Sequence, residues 1–146
     1  DIVERHGIDA KRLKLEITET ALMGDIEKYS RLITRLQEAG FEVEIDDFGS
    51  GYSSLSMLKD IEADILKIDM GFLRQTGNSK RSSVILNAVI AMAKWLGMRV
   101  ITEGVETKDQ VEHLRSLGCD MFQGYFFAKP MPIKDFEAKY FQPNGD

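Results

Sequence analysis

Short apolar runs alternate with longer stretches of helical periodicity along the whole chain. In "FEVEID", Val43 and Ile45 alternate with Glu42 and Glu44, the pattern of a strand with one buried face. The same reading predicts strands over 12–18 ("RLKLEIT"), 41–46, 64–69 ("DILKID"), 98–103 ("MRVITE") and 119–127 ("CDMFQGYFF"). Between them, residues 25–39 place Ile26, Tyr29, Leu32, Ile33 and Leu36 on one helical face, and Gly40 ends that helix. Residues 81–96 predict a buried helix closed by Gly97, and "SSLSMLKDI" a shorter one after a Gly-rich loop. Over 107–117, Thr107 with Gln110 three places on is the pattern of a capping box, and Gly118 stops the helix. The opening "DIVERHGIDAK" reads as the end of a helix. Strand and helix repeat in units of about 20 to 35 residues, which predicts an α/β fold with parallel strands and right-handed crossovers.

Composition narrows the function classes. The chain has 146 residues, 43% hydrophobic and 29% charged with 3 prolines, as in one soluble globular domain. A net charge of -5 and a pI near 5.1 supply no basic field for non-specific capture of nucleic acid or an anionic membrane. A phosphorylated ligand must therefore be held locally. Cys119 is the single cysteine, which excludes an internal disulfide or a thiolate metal cluster and points to a cytoplasmic protein. His6 and His113 stand far apart in the chain, which argues against a histidine metal site or a Ser-His-Asp triad; both read as surface residues. The most apolar run, "VILNAVIAMAKWLG", is broken by Asn87 and Lys94 and falls short of the roughly 18 apolar residues of a membrane span. No signal peptide is visible at the start.

The candidate chemistry gathers where strands end. Glu16 and Glu19 lie at the exit of the first strand, Asp46 and Asp47 at the second, Lys67 and Asp69 at the third, Glu103 at the fourth, and Gln123 within the fifth. Each has a plain structural explanation. Asp-Asp before a Gly turn is a common strand terminator, Glu16 suits an outward-facing position, Lys67 can snorkel, and Glu103 and Glu106 can cap the next helix. Recurrence on five strands is what singles them out, because the C-terminal end of parallel strands is where (β/α) barrels build their sites. Glu16, Asp46, Asp47 and Glu103 would repel one another if dry and ionised, so hard divalent cations are the natural compensation. Oxygen-only ligation favours Mg²⁺ or Mn²⁺. Two such ions clamp the attacking and leaving oxygens of a phosphodiester displacement, and Lys67 would neutralise phosphate charge.

Four segments carry a family resemblance. "LKLEITET", "IDDFGSGYSSLSMLKDIEADILKIDMGFL", "VITEGVET" and "LGCDMFQGYFFAKPM" resemble the successive motifs of the EAL-domain family, bacterial cyclic di-GMP phosphodiesterases built on a TIM-like barrel. The resemblance implies that residues 1–146 are the C-terminal part of a single EAL domain, about the last five strands of the barrel. The upstream Glu-Ala-Leu motif and a strand-borne Asn, both first-metal ligands in the family, are not in this sequence. It further implies that Glu16 and Asp46 hold one metal and that Asp46 bridges to a second, bound by Asp47. Glu103 would handle the nucleophilic water or the second metal. Lys67 would stand near that water and the phosphate, with Gln123 and Asp69 lining the substrate pocket. Glu19 would tie down the loop from Phe48 to Ser54, whose Gly49 and Gly51 give it freedom to couple dimerisation to the site.

The function so implied is hydrolysis of cyclic di-GMP to linear pGpG with two Mg²⁺ or Mn²⁺ ions, in a homodimer. A sensory or GGDEF-type domain upstream and a membrane anchor elsewhere in the parent are compatible with this. The fragment alone is expected to be inactive. The alternative is a non-catalytic cyclic di-GMP receptor or interaction module. A nucleotide-binding oxidoreductase is disfavoured, since Ser54 stands where the dinucleotide fingerprint needs its third glycine, and no Gly-Lys-Ser/Thr phosphate loop occurs.

Overall fold

Five parallel strands form one sheet in sequence order in the computed structural model, which describes residues 2–49, 55–69, 71 and 79–141. They are β1 (Lys14–Thr18), β2 (Glu42–Phe48), β3 (Ile65–Asp69), β4 (Arg99–Glu103) and β5 (Met121–Phe122). The helices are α1 (Ile2–Arg5), α2 (Glu19–Gly24), α3 (Ile26–Glu38), α4 (Leu55–Asp60), α5 (Ser79–Trp95), α6 (Lys108–Ser116) and α7 (Ile133–Tyr140).

Side chains alternate between the two faces of each strand, and the faces have opposite characters. On one, Val43, Ile45, Leu66, Ile68 and Val100 join Leu22, Ile33, Met57, Leu58, Ile90 and Leu114 in a single apolar core under the helices. The other is a band of charge crossed by ion pairs. Arg99 reaches Glu42 at 2.8 Å, Lys14 reaches Glu44 at 3.4 Å, and Lys67 reaches Glu16 at 2.6 Å. Expected alternation therefore appears, with one difference: Glu44 is only 2% exposed. Its carboxylate is enclosed on the charged face beside Lys14, where the strand pattern alone suggested a solvated position.

The helix limits agree with the periodicity, and the predicted capping box is present, with Gln110 N donating to Thr107 Oγ1. Leu32, assigned to the buried face of its helix, is instead exposed, while Ile33 is buried and Ile26, Tyr29 and Leu36 pack on the core. Two elements differ more. β2 continues through both aspartates to Phe48, and β5 is two residues long because 124–127 turns away from the sheet. α2 and α7 were not predicted; both are short, and their apolar residues lack a long repeat.

One construction occurs twice. Asp64, just ahead of β3, accepts from Val43 N at 2.8 Å and from Gln37 Nε2 of α3 at 3.1 Å. Asp120, just ahead of β5, accepts from Val100 N at 2.7 Å and from Lys94 Nζ of α5 at 2.7 and 2.9 Å. Each aspartate ties the start of the preceding strand to the helix before it. In both β2 and β4 a carboxylate is followed by a residue of positive φ: Asp46, two residues before the end of β2, by Asp47 (φ +57°) inside the strand, and Glu103 by Gly104 (φ +73°) just past the end of β4.

Candidate active site

β2 and β4 flank β3, and the carboxylates of Asp46 and Glu103 meet on its lysine. Lys67 Nζ lies 2.6 Å from Glu16 Oε1, 2.9 Å from Asp46 Oδ1 and 2.9 Å from Glu103 Oε1. β1, β2, β3 and β4 each contribute one group, so the cluster depends on the sheet's register rather than on local sequence. Lys67 is 5% exposed. Burial alone would favour the neutral amine, but the three carboxylates outweigh it and hold the group above its ordinary pKa. Lys67 is therefore a fixed ammonium and unsuited to accepting a proton at neutral pH.

A bulge aims the paired aspartates. Ile45 stands opposite Leu66 and Phe48 opposite Ile68, so β2 carries one residue more than β3 over that interval. Asp47 takes up the difference at φ +57°, a region that aspartate tolerates better than most side chains. Strict alternation would send adjacent side chains to opposite faces. Here Asp46 reaches Lys67, and Asp47 is exposed at the same strand end.

Glu19 opens α2 and is 2% exposed, with Oε2 accepting from Gly49 N at 3.0 Å. The sequence makes Glu19 an expected anchor for the loop from Phe48 to Ser54; this bond reaches the second residue of that segment, and Gly51 with the rest of the loop through Ser54 lies outside the described residues. Asp69 does not join the lysine cluster among the described contacts. Its Oδ1 accepts from Gly71 N at 2.6 Å. Gln123 follows β5, its backbone N–H donating to Thr102 O at 2.9 Å. Gln123 lines a cavity of about 410 Å³ with Tyr125, Lys129, Met131, Ile133 and Phe136. These neighbours were missed from sequence; the available signal was the aromatic run Tyr125 to Phe127 continuing into the Phe136 helix. A cavity of about 470 Å³ also opens at the other end of the strands, near Asp64 and Arg99, and none of the lysine-bound carboxylates lines either cavity.

Three observations bear on metal binding. The donors are hard carboxylates, and Asp46 Oδ1 is buried without a hydrogen bond, its approach to Lys67 being close but poorly aligned. Against this, no group of three or more His, Cys, Asp or Glu among the described residues is arranged to hold a metal ion. The shared cation is the lysine ammonium. The donor chemistry fits a hard divalent ion, with the carboxylates turned toward Lys67 in this arrangement. Cys119 and the histidines take no part. Burial pushes the Cys119 thiol pKa up, despite its contact with Thr102 Oγ1 at 3.0 Å, and His113 is on the surface beside Ser83 at 3.2 Å.

Known proteins place this geometry. The family model of the EAL domain matches residues 1–130. The chain is 44% identical to the cyclic di-GMP phosphodiesterase NbdA of Pseudomonas aeruginosa, over 92% of this chain and 17% of that protein. Among solved structures, the PaMucR phosphodiesterase in complex with cyclic di-GMP matches with a TM-score of 0.82 and 37% identity, over 92% of this chain and 54% of that one. Klebsiella pneumoniae BlrP1 with manganese and cyclic di-GMP matches with a TM-score of 0.78 and 33% identity, over 88% of this chain and 33% of that one. The chain thus spans a minor part of the curated relatives' length. Its five-stranded parallel sheet corresponds to part of the TIM-like barrel of these structures, and the chain belongs to the EAL domain family.

Proposed function

We propose that this chain carries the carboxylate and lysine half of a cyclic di-GMP phosphodiesterase site that produces linear pGpG. The observation that carries the reading is the convergence of Glu16, Asp46 and Glu103 on buried Lys67 at the C-terminal end of a parallel sheet, in a chain of this family. Relatives crystallised with cyclic di-GMP together with manganese or calcium support both the ligand and a divalent requirement.

In this reading Glu16, Asp46, Asp47 and Glu103 would hold two divalent ions, Mg²⁺ or Mn²⁺. Bound there, the ions would supply charge neutralisation and an acidified water. The chain's own groups do the rest. Lys67 keeps its positive charge and places it against the phosphate. Glu103 orients the attacking water, and Gln123 and Asp69 position the substrate. Glu19 fixes the start of the loop at Gly49, linking loop position to the aspartates that precede it. We assign the protein to the cytoplasm as a homodimer, fused in the parent to a sensory or GGDEF-type domain; among the described residues no helix is long and apolar enough to cross a membrane.

A second reading, a receptor that binds the dinucleotide without turnover, is favoured by one observation: the carboxylates close on Lys67 and do not surround a common metal point. Separation of cyclic di-GMP from pGpG after incubation with Mg²⁺ or Mn²⁺ distinguishes the two. The chain as it stands, a version extended upstream, and an Asp46→Asn form of each are compared. Turnover in the extended protein, lost with Asp46→Asn, is expected. Binding without turnover in the extended protein would replace the enzyme by the receptor.

A further inference from the structure

The segment after β4 is held in an unusual way. Val105 is fully buried, and both of its backbone polar groups are taken by residues 123–126: its N–H donates to Gln123 O at 3.1 Å, and its carbonyl accepts from Phe126 N at 3.0 Å. Gln123 N donates to Thr102 O at 2.9 Å, so the backbone on both sides of Glu103 is pinned by one short segment. That segment approaches so closely that a Cβ on Gly124 would lie 2.1 Å from Val105 O, 2.4 Å from its N and 2.8 Å from its C. All three neighbours are backbone atoms, so no side-chain rotation relieves the collision.

We infer that Gly124 is a positioning residue for Glu103: its missing side chain lets residues 123–126 clasp Val105, and this clasp holds the Glu103 carboxylate on Lys67. Any side chain at 124 must push the Gly104–Val105 backbone away, and Glu103 is carried on the strand end directly before it. The consequence for metal binding rests on the functional reading above, whereas the consequence for the Glu103–Lys67 contact at 2.9 Å does not. Gln123, already placed at the substrate cavity, then has a second duty through its backbone.

Two readouts separate these consequences. The first is the side-chain ¹⁵N signal of Lys67 in the full chain, compared among wild type, Glu103→Gln, Gly124→Ala, Phe126→Pro and Gly118→Ala. Gly118 is the control, because it also has positive φ (+92°) but open space where a Cβ would stand. Phe126→Pro removes the N–H that binds Val105 O without adding a group at 124, and carries the test if Gly124→Ala does not fold. Gly124→Ala and Phe126→Pro are expected to move the Lys67 signal as Glu103→Gln does, with Gly118→Ala leaving it in place. A Lys67 signal unchanged in the folded clasp variants would overturn the inference. The second readout is Mn²⁺ affinity in the upstream-extended domain, expected to weaken about ten-fold or more in Gly124→Ala and not in Gly118→Ala. A moved Lys67 signal with no Mn²⁺ binding even in wild type would uphold the clasp and reject the metal-site reading instead.

Discussion

Asp47 holds a left-handed backbone (φ +57°) in a place where glycine would be more comfortable, and a glycine, Gly104 (φ +73°), follows the carboxylate that ends β4. The strain, about 1 kcal/mol for an ordinary L-residue, is tolerated where a second carboxylate follows Asp46. Asp47→Gly is therefore expected to melt at or slightly above the wild-type temperature while losing Mn²⁺ affinity; retention of affinity would remove Asp47 from the ligand set. Lys67 gives the complementary case. Lys67→Met leaves the carboxylates of Glu16, Asp46 and Glu103 without their shared cation. Breaking such a buried contact costs about 3 kcal/mol, near the lower end of the usual range, because the Glu16 side chain is 51% exposed and partly screened. Urea unfolding at neutral pH measures this, and added Mn²⁺ is expected to restore part of the loss in Lys67→Met. Individual residues were legible in the sequence to the extent that their positions at strand ends could be aligned. Their convergence on Lys67 was not, since it depends on the register of four strands and on a bulge that alternation alone does not announce.

At the scale of elements, the Asp64 and Asp120 clasps set where β2 and β4 begin relative to the helices before them. Asp120 is the sharper test because burial opposes its ionisation, yet Lys94 and the Val100 N–H hold its carboxyl below the usual range. A depressed folded pKa means that its stabilisation is fully present above the unfolded value of about 3.9 and is lost as pH falls through the folded value. Asp120→Asn is expected to cost about 1 to 2 kcal/mol at pH 7, with the gap to wild type narrowing below about pH 4. Urea midpoints at pH 7 and pH 3 decide it, and an equal gap at both would contradict the charge account. These clasps were invisible in the sequence because a lone Asp before a strand is ordinary turn chemistry. The α3, α5 and α6 limits were legible because periodicity and a following glycine agree there. β5 was overextended because its apolar run continues into a turn built round Gly124.

For the whole molecule, the sheet formed by the described residues has two edges, β1 and β5, and ion pairs between its own strands cross its charged face. Unpaired parallel edges are templates for association. The 146-residue chain by itself is therefore expected to self-associate or to melt without a sharp transition. A monomer with one cooperative transition in sedimentation and calorimetry would contradict that. The α/β class and the parallel order were readable from the alternation of strand and helix, and the charge band was half readable. What remained hidden was its depth: Glu44, apparently a solvated strand residue, is enclosed beside Lys14.

The carboxylates gathered on Lys67 are expected to form a divalent-metal site. Its most direct test is an Mn²⁺ titration of the upstream-extended protein followed by electron paramagnetic resonance, with Asp46→Asn alongside. Saturable binding in wild type is expected, lost or greatly weakened in Asp46→Asn. Equal binding in the two proteins, or none in either, would contradict it.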